Sequence, residues 1–257
     1  MTVVVPTYNE RESLPHLVDK LLALPTTQLS ILVVDDNSPD GTGDVADSLA
    51  VSTKGRVQVL HRPGKDGLGR AYAAGMSQAL AGGAEIVVQM DADGSHPVEA
   101  IPRMVSELVS NSAVVAVGSR YVAGGSVDDQ WPWHRRMLSA GANRYVRRVL
   151  RLQVHDATAG FKAWKAEALR LLEPETALSG GYSFQVEMAH RLTLMGFISL
   201  EVPIHFVDRT DGTSKMSLGV QLESVLMPWR LRRSVWRPRV VPSNIPGHVD
   251  DASLNAA

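Results

Sequence analysis

The sequence predicts an α/β protein built on one doubly wound, mostly parallel sheet. Short runs of apolar, often β-branched residues recur along the chain, and between them lie longer segments with apolar residues at helical spacing. The short runs are apolar throughout instead of alternating, the pattern of strands covered on both faces by helices. A chain of 257 residues, 44% of them hydrophobic, is long enough to enclose one large core of this kind.

"TVVVP" is the first strand, and "NERESLPHLVDKLLAL" is the helix after it, with Leu14, Leu17, Val18, Leu21 and Leu22 on one face. "SILVVDD" is the second strand. The turn residues of "NSPDGT" then lead into the helix "GDVADSLAV". "RVQVLHR" is the third strand, followed by the small-residue helix "GLGRAYAAGMSQALAGG", which its glycines end. "EIVVQMDAD" is the fourth, with "HPVEAIPRMVSELVSN" as its helix and Pro97 near the first turn; "AVVAVGSR" is the fifth. Near the C-terminus, "LESVLMPWRLRRSVWRPR" sets Leu222, Val225, Leu226, Trp229 and Trp236 along one helical face, flanked by Arg230, Arg233 and Arg237. Pro228 is expected to bend that helix or split it into two short pieces. Residues 240–257 read as a frayed polar tail.

Composition removes several function classes. A formal net charge of −1 gives no global attraction for nucleic acid. The absence of cysteine excludes disulfides, thiolate metal sites and cysteine nucleophiles, and fits a reducing compartment. "MTVVVPTYNE" has neither the basic start nor the long apolar stretch of a signal peptide, so a cytoplasmic location is expected. No run approaches the ~18 apolar residues of a spanning helix.

Sheets of this kind bind ligands at the carboxyl ends of their strands. Asp35, Asp36, Asp91, Asp93, Ser119 and Arg120 all fall there, so they converge on one edge. Any one of them, alone, reads equally well as a helix N-cap. Asp91 and Asp93 cannot both cap the same helix. Two carboxylates this close repel, and one would take up a proton unless a cation offsets them; an oxygen-preferring divalent ion does so and bridges to phosphates. Mg2+ or Mn2+ is therefore expected. "GLGRAY" is not a dinucleotide fingerprint, because Tyr72 stands at its third glycine position and it follows the third strand instead of the first. Gly67, Gly69 and Gly75 instead suit a tight turn and close helix packing.

"VVVPTYNERESL", "ILVVDDNSPDGT", "GLGRAYAAG", "MDADGSHP" and "GSRYVAGG", in this order and spacing, resemble family 2 glycosyltransferases of the GT-A fold. More narrowly they resemble polyprenol-phosphate (dolichol-phosphate) mannosyltransferases, and "WPWHRRMLSAGAN", "DATAGFKAW", "GGYSFQVEMAHR" and "VPIHFVDRTDGTSKM" agree. The resemblance implies a single Rossmann-like sheet with an acceptor-side extension. It divides the chain into a glycosyltransferase domain over 1–215 (nucleotide-sugar half 1–120, acceptor half 121–215), an amphipathic basic segment over 216–239 and the tail.

Residue roles follow from the same resemblance. Pro6, Tyr8 and Glu10 fall where the family holds the base and ribose; a ring to pack and a carboxylate to accept suit that task. Val34 and Asp36 would line the base pocket, and Lys65 would approach the diphosphate. Asp91, Ala92 and Asp93 would hold the sugar-nucleotide, with Asp91, Asp93 and Ser95 as the metal set; His96 is either a capping contact or a further ligand. Arg209 and Lys215 would meet the donor diphosphate. The acceptor phosphate would meet Ser119, Arg120 and Arg135, with Arg136 the alternative to the last, because guanidinium groups grip phosphate in two-pronged fashion. Asp156 would orient an arginine or the sugar, or form a structural ion pair. A lipid phosphate is already an anion, so no general base is required; positioning and charge compensation are.

The implied reaction is inverting transfer of mannose from GDP-mannose to a polyprenyl phosphate, giving a β-linked polyprenyl-phosphate mannose and GDP. UDP-glucose as donor, a soluble acceptor and a catalytically silent sugar-nucleotide binder are the alternatives. The lipid acceptor implies work at the cytoplasmic face of the membrane surface, through the basic tryptophan-bearing segment or an integral-membrane partner subunit. That segment packing on the enzyme's own core is the competing expectation.

Overall fold

β1 (Thr2–Thr7), β2 (Ser30–Asp35), β3 (Val57–His61) and β4 (Ile86–Gln89) lie parallel in the spatial order β3-β2-β1-β4 in the computed structural model. The structure describes residues 1–26, 28–181, 183–207, 218–234 and 236, with 218–224 as backbone only. The helices between these strands are α1 (Ser13–Leu22), α2 (Thr42–Ser52) and α3 (Leu68–Ala81). Successive strand residues point to opposite faces. Val3, Val5, Ile31 and Val33 therefore pack on Leu14, Leu17 and Val18 of α1, whereas Val4, Leu32 and Val34 join Tyr72 and Met76 of α3 on the other side. The uninterrupted apolar runs supply both layers at once.

Two features beyond residue 110 were not legible in the strand pattern. α4 (Ile101–Ser110) leads to β5 (Val115–Ser119), but β5 does not lie beside β4. β7 (Lys162–Lys165) is inserted between them, antiparallel to both, so the sheet is mixed and seven-stranded. "KAWK" is short and bracketed by lysines, which hides a strand whose Ala163 and Trp164 are fully buried. β8 (Ser199–Pro203) closes the sheet parallel to β5. A small two-stranded sheet pairs β6 (Ser126–Val127) with β9 (His205–Phe206). The helix expected from His96 begins instead with a single 3-10 turn, Val98–Ala100, and Pro102 occupies the first turn of α4.

The remaining helices are α5 (Trp133–Leu150), α6 (Ala166–Leu172), α7 (Ser183–Leu194) and α8 (Leu218–Arg233). α8 runs unbroken through Pro228, against expectation. Met227 and Leu231, on either side of it, bury against Val146, Val149 and Leu150 of α5 and Val186 and Ala189 of α7, and this packing holds the helix across the proline. The apolar face expected of this segment is split. Trp236 turns onto the core, with the Arg191 guanidinium 4.9 Å from its ring, while Val225, Leu226 and Trp229 face outward. The Leu222 side chain, Arg237 and the 240–257 tail lie outside the described residues.

Candidate active site

The fold brings the strand ends of β1, β2, β4 and β5 to one edge. Asp91 stands just beyond β4, and three neighbours fix it. Tyr72 Oη donates to its Oδ1 at 2.5 Å, and its own backbone N–H donates to His96 Nδ1 at 3.2 Å. Gly160 passes so close that a Cβ there would lie 3.3 Å from Asp91 Oδ2. Asp93 is held by a local turn: its Oδ1 accepts from the N–H and the hydroxyl of Ser95, at 3.1 and 2.5 Å, across Gly94 in the left-handed conformation. Neither aspartate caps a helix. Ser95 is buried and spends its hydroxyl on Asp93, so it orients that carboxylate and does not itself face a ligand. Ala92 is buried in the core between them.

His96 is neither a cap nor an open imidazole. Its ring stacks on Phe161 at 5.1 Å and meets Phe206 edge-on at 5.6 Å. Burial pushes its pKa down, with Asp91 and Asp93 pulling the other way. Because Nδ1 accepts a hydrogen bond, the proton of the neutral ring sits on Nε2.

The donor set fits a hard divalent ion. Among the described residues no three His, Asp or Glu side chains converge on one point. A metal at Asp91 and Asp93 would thus take one or two carboxylates and complete its shell with phosphate and water oxygens, which is how Mg2+ is commonly held.

Arg120, beyond β5, is locked to Asp156. Nε and Nη2 donate to the two carboxylate oxygens, both at 2.7 Å, and the Arg120 backbone N–H adds a third bond at 3.1 Å. Nη2 also reaches Thr158 Oγ1 at 2.9 Å, which Asn143 of α5 contacts at 3.0 Å. Asp156 is fully buried. Burial opposes the guanidinium charge, and Asp156 more than offsets it, leaving the Arg120 pKa raised. Asp156 therefore both orients an arginine and forms a structural ion pair. Ser119 is also fully buried, which keeps its hydroxyl from reaching a ligand at the surface, and that hydroxyl accepts from Tyr121 N–H at 3.4 Å. Arg135 stacks over Trp131 at 3.9 Å. Arg136 is tied to the loop by a 2.9 Å bond to the Asp128 carbonyl.

At the nucleotide end the outcome is mixed. Pro6 is buried in β1, and Tyr8 follows it with Lys65 Nζ 3.9 Å above its ring. Glu10 accepts from Ser13 Oγ at 2.7 Å and its N–H donates to Thr42 Oγ1 at 2.9 Å. Lys65 thus covers the ring expected to receive the base. Val34 is a core residue: a Cβ at Gly75 of α3 would lie only 2.7 Å from its Cγ2, so its side chain cannot line a pocket. Asp36 is buried and paired with Arg62; burial raises its pKa and Arg62 opposes the rise. Asp35 holds the turn, accepting from Thr7 Oγ1 at 3.1 Å and Ser38 Oγ at 2.6 Å. Arg209 and Lys215 lie outside the described residues.

Sequence reasoning missed Arg62, Tyr72, Thr158 and Gly160 as members of this edge. Arg62 carried a usable signal. Asp35 pairs with His61 in the β2–β3 register, so Asp36 and Arg62 leave the sheet side by side.

An open α/β sheet with an aspartate pair beyond β4 and the largely buried Arg120 beyond β5, on one edge, is suited to an enzyme that handles phosphate-bearing ligands with a divalent ion. The chain belongs to glycosyl transferase family 2, whose model matches residues 2–172. It is 45% identical over 243 residues to polyprenol monophosphomannose synthase of Mycolicibacterium smegmatis, covering 93% of this chain and 90% of that one. It is 46% identical over 224 residues to undecaprenyl-phosphate mannosyltransferase of Micrococcus luteus, covering 87% and 90%. Among solved structures, glucosyl-3-phosphoglycerate synthase of Mycobacterium tuberculosis with Mn2+, UDP and glucosyl-3-phosphoglycerate aligns with a TM-score of 0.62 at 17% identity, over 90% of this chain and 77% of that chain. A mannosyltransferase of Pyrobaculum calidifontis solved with GDP-Man and Mn2+ aligns at 0.56 and 20% identity, over 83% and 57%. These two establish the shared fold.

Proposed function

We propose that this protein transfers mannose from GDP-mannose to a polyprenyl monophosphate with inversion, releasing GDP. The observation that carries the proposal is near-full-length identity of 45% and 46% to two relatives named for mannose transfer to polyprenyl phosphates. In the chain itself, Asp91 and Asp93 stand at one strand end and Arg120 at another, on the same edge. This suits a reaction between two phosphate-bearing substrates.

In the reaction an oxygen of the acceptor phosphate attacks the anomeric carbon as its bond to the GDP diphosphate oxygen breaks. No proton has to leave the nucleophile. Asp91 and Asp93 would hold Mg2+ or Mn2+, which when bound supplies positive charge to the departing diphosphate. Tyr8 and Glu10 would take the nucleoside, once Lys65 leaves the Tyr8 ring. Arg120, aimed by Asp156 and Thr158, and Arg135, aimed by Trp131, would set the acceptor phosphate opposite the diphosphate. Among the described residues no helix is long and apolar enough to cross a membrane. A lipid-borne acceptor phosphate would bring the enzyme to a membrane surface, which we assign to the cytoplasmic face.

The test is transfer of labelled sugar from GDP-mannose, and in parallel from UDP-glucose, to a short polyprenyl phosphate with Mn2+. Turnover with GDP-mannose alone, abolished in Asp93→Ala, is expected. Turnover with UDP-glucose alone would replace the donor, and nucleotide binding without turnover by either would remove the catalytic proposal.

A further inference from the structure

Glu201 of β8 is a largely buried carboxylate with no place in the proposed reaction; its side chain is 11% exposed. Oε1 accepts from the backbone N–H of Asp156 at 3.0 Å, and Oε2 accepts from the backbone N–H of His155 at 2.7 Å. His155 Nδ1 lies 2.8 Å from the same Oε2. One carboxylate thus holds two successive peptide groups. Taking a charge out of water is costly, and an apolar side chain would anchor a loop without that cost. What the carboxylate adds is direction, since two N–H groups bound to two fixed oxygens set the orientation of the peptide as well as its place.

That orientation matters because of what Asp156 does. Residues 151–161 connect α5 to β7, and Asp156, fully buried in that connection, turns both oxygens to Arg120. Arg120 follows β5, which pairs with β8 so that Val117 lies beside Glu201 and Ser119 beside Pro203. Glu201 therefore ties the connection to the strand pair that carries Arg120. Asp156 is held through its backbone by Glu201 and holds the guanidinium through its side chain.

We propose that Glu201 is a positioning residue for the acceptor phosphate, fixing the His155–Asp156 peptide on β8 and so presetting the direction in which Arg120 meets that phosphate. This rests on the reading of Arg120 as an acceptor-phosphate group and deepens it. Asp156 and Thr158 engage Nε and Nη2, so Nη1 is the nitrogen turned to the ligand. A shift of about 1 Å in a group that positions a reactant can cost on the order of 100-fold in rate, and the connection between α5 and β7 is held against such a shift by the two bonds to Glu201.

The test compares wild type, Glu201→Gln and His155→Ala, with farnesyl phosphate as acceptor and as binding probe. Glutamine keeps the shape, but its amide nitrogen cannot accept, so one of the two peptide N–H groups loses its partner. Glu201→Gln should raise the KM for farnesyl phosphate about tenfold and weaken its calorimetric binding by a similar factor. The KM for GDP-mannose and the Mn2+ titration should not move. His155→Ala removes the ring and keeps both peptide bonds, and should stay within about twofold of wild type in every measurement. Equal loss toward donor and acceptor, or a lower melting temperature with an unchanged acceptor KM, would mean that Glu201 serves folding alone. A His155→Ala variant as defective as Glu201→Gln would also overturn the proposal. Hydrogen exchange of wild type adds a readout independent of variant folding: the His155 and Asp156 amides should exchange slowly without ligand and gain no protection from farnesyl phosphate. Fast exchange there that slows only with farnesyl phosphate would show that the peptide is not preset. A wild type that transfers no sugar would remove the proposed function, and the calorimetric comparison would still read the role of Glu201; a wild type that does not bind farnesyl phosphate at all would overturn that role too.

Discussion

The phenol of Tyr72, a fully buried residue of α3, donates a 2.5 Å hydrogen bond to Asp91 Oδ1 at the end of β4. Its ring stacks on Phe184 at 6.4 Å, which packs α3 against α7, while the hydrogen bond fixes the carboxylate. Tyr72→Phe removes one atom and keeps the stack. It should cost about 1 kcal/mol of stability and, with Asp91 holding the metal as proposed above, reduce transfer about 10- to 100-fold with a higher Mn2+ requirement. Phe184→Leu, which keeps the phenol, should lower the melting temperature without moving the Mn2+ titration midpoint. An unchanged Mn2+ titration in Tyr72→Phe would show that the phenol does not govern Asp91.

The start of α3 depends on two glycines in contact with the segment before α7. Gly67 has a φ of +91, and a Cβ there would lie 2.3 Å from the Gly180 carbonyl oxygen. Backbone cannot yield as a side-chain tip does, and the positive φ adds strain for any side chain. Gly67→Ala should destabilise the protein by about 2 kcal/mol or more. Gly64→Ala, where a Cβ meets nothing within 4 Å, should be near neutral. Urea unfolding of the pair separates packing from simple loss of chain flexibility.

How much of this was legible follows from these particulars. The two-faced packing of β1 and β2 is written in their uninterrupted apolar runs, and the candidate-site edge in the aspartates at or just past the ends of β2 and β4. The insertion of β7 was not legible, since four residues with a lysine at each end carry little strand signal and their pairing is set at long range by β4 and β5. Asp36 was legible as an edge residue, but its pairing with Arg62 requires the register of β2 and β3. Tyr72 was noticed only as a residue out of place in a glycine motif. Its bond to Asp91 joins positions 19 apart through tertiary packing, which no local pattern reports.

The Arg120–Asp156 pair is buried on both sides, with side-chain exposures of 11% and 0%. Removing one partner strands the other's charge, so Asp156→Ala should destabilise by about 3–5 kcal/mol. Arg120→Lys keeps the charge but cannot make the two parallel bonds, and should lose activity out of proportion to stability. The double variant Arg120→Met with Asp156→Leu should be more stable than Asp156→Ala alone while remaining inactive. Chemical denaturation beside transfer assays tests this; a double variant as unstable as the single one would mean that the pair's role is mainly packing.

Lys162 yields the pH prediction. It is buried in β7 beside Gln89 and Val117, with Nζ donating to Gln185 Oε1 at 2.9 Å. Burial lowers its pKa to about 7, against 10.5 ordinarily, with Asp156 opposing. Between these values the unfolded chain binds the proton and the folded one releases it, so stability should rise with pH from about 7 toward 10. Below about 7 both states are protonated and the slope from this group vanishes, leaving the burial penalty at its largest. Lys162→Met, which keeps the length and removes the charge, should flatten that rise, by a few kcal/mol across the window at most. The comparison is guanidinium unfolding of wild type and variant at several pH values, where only the difference between the two curves reports on Lys162. A difference independent of pH would mean that Lys162 titrates normally in the fold.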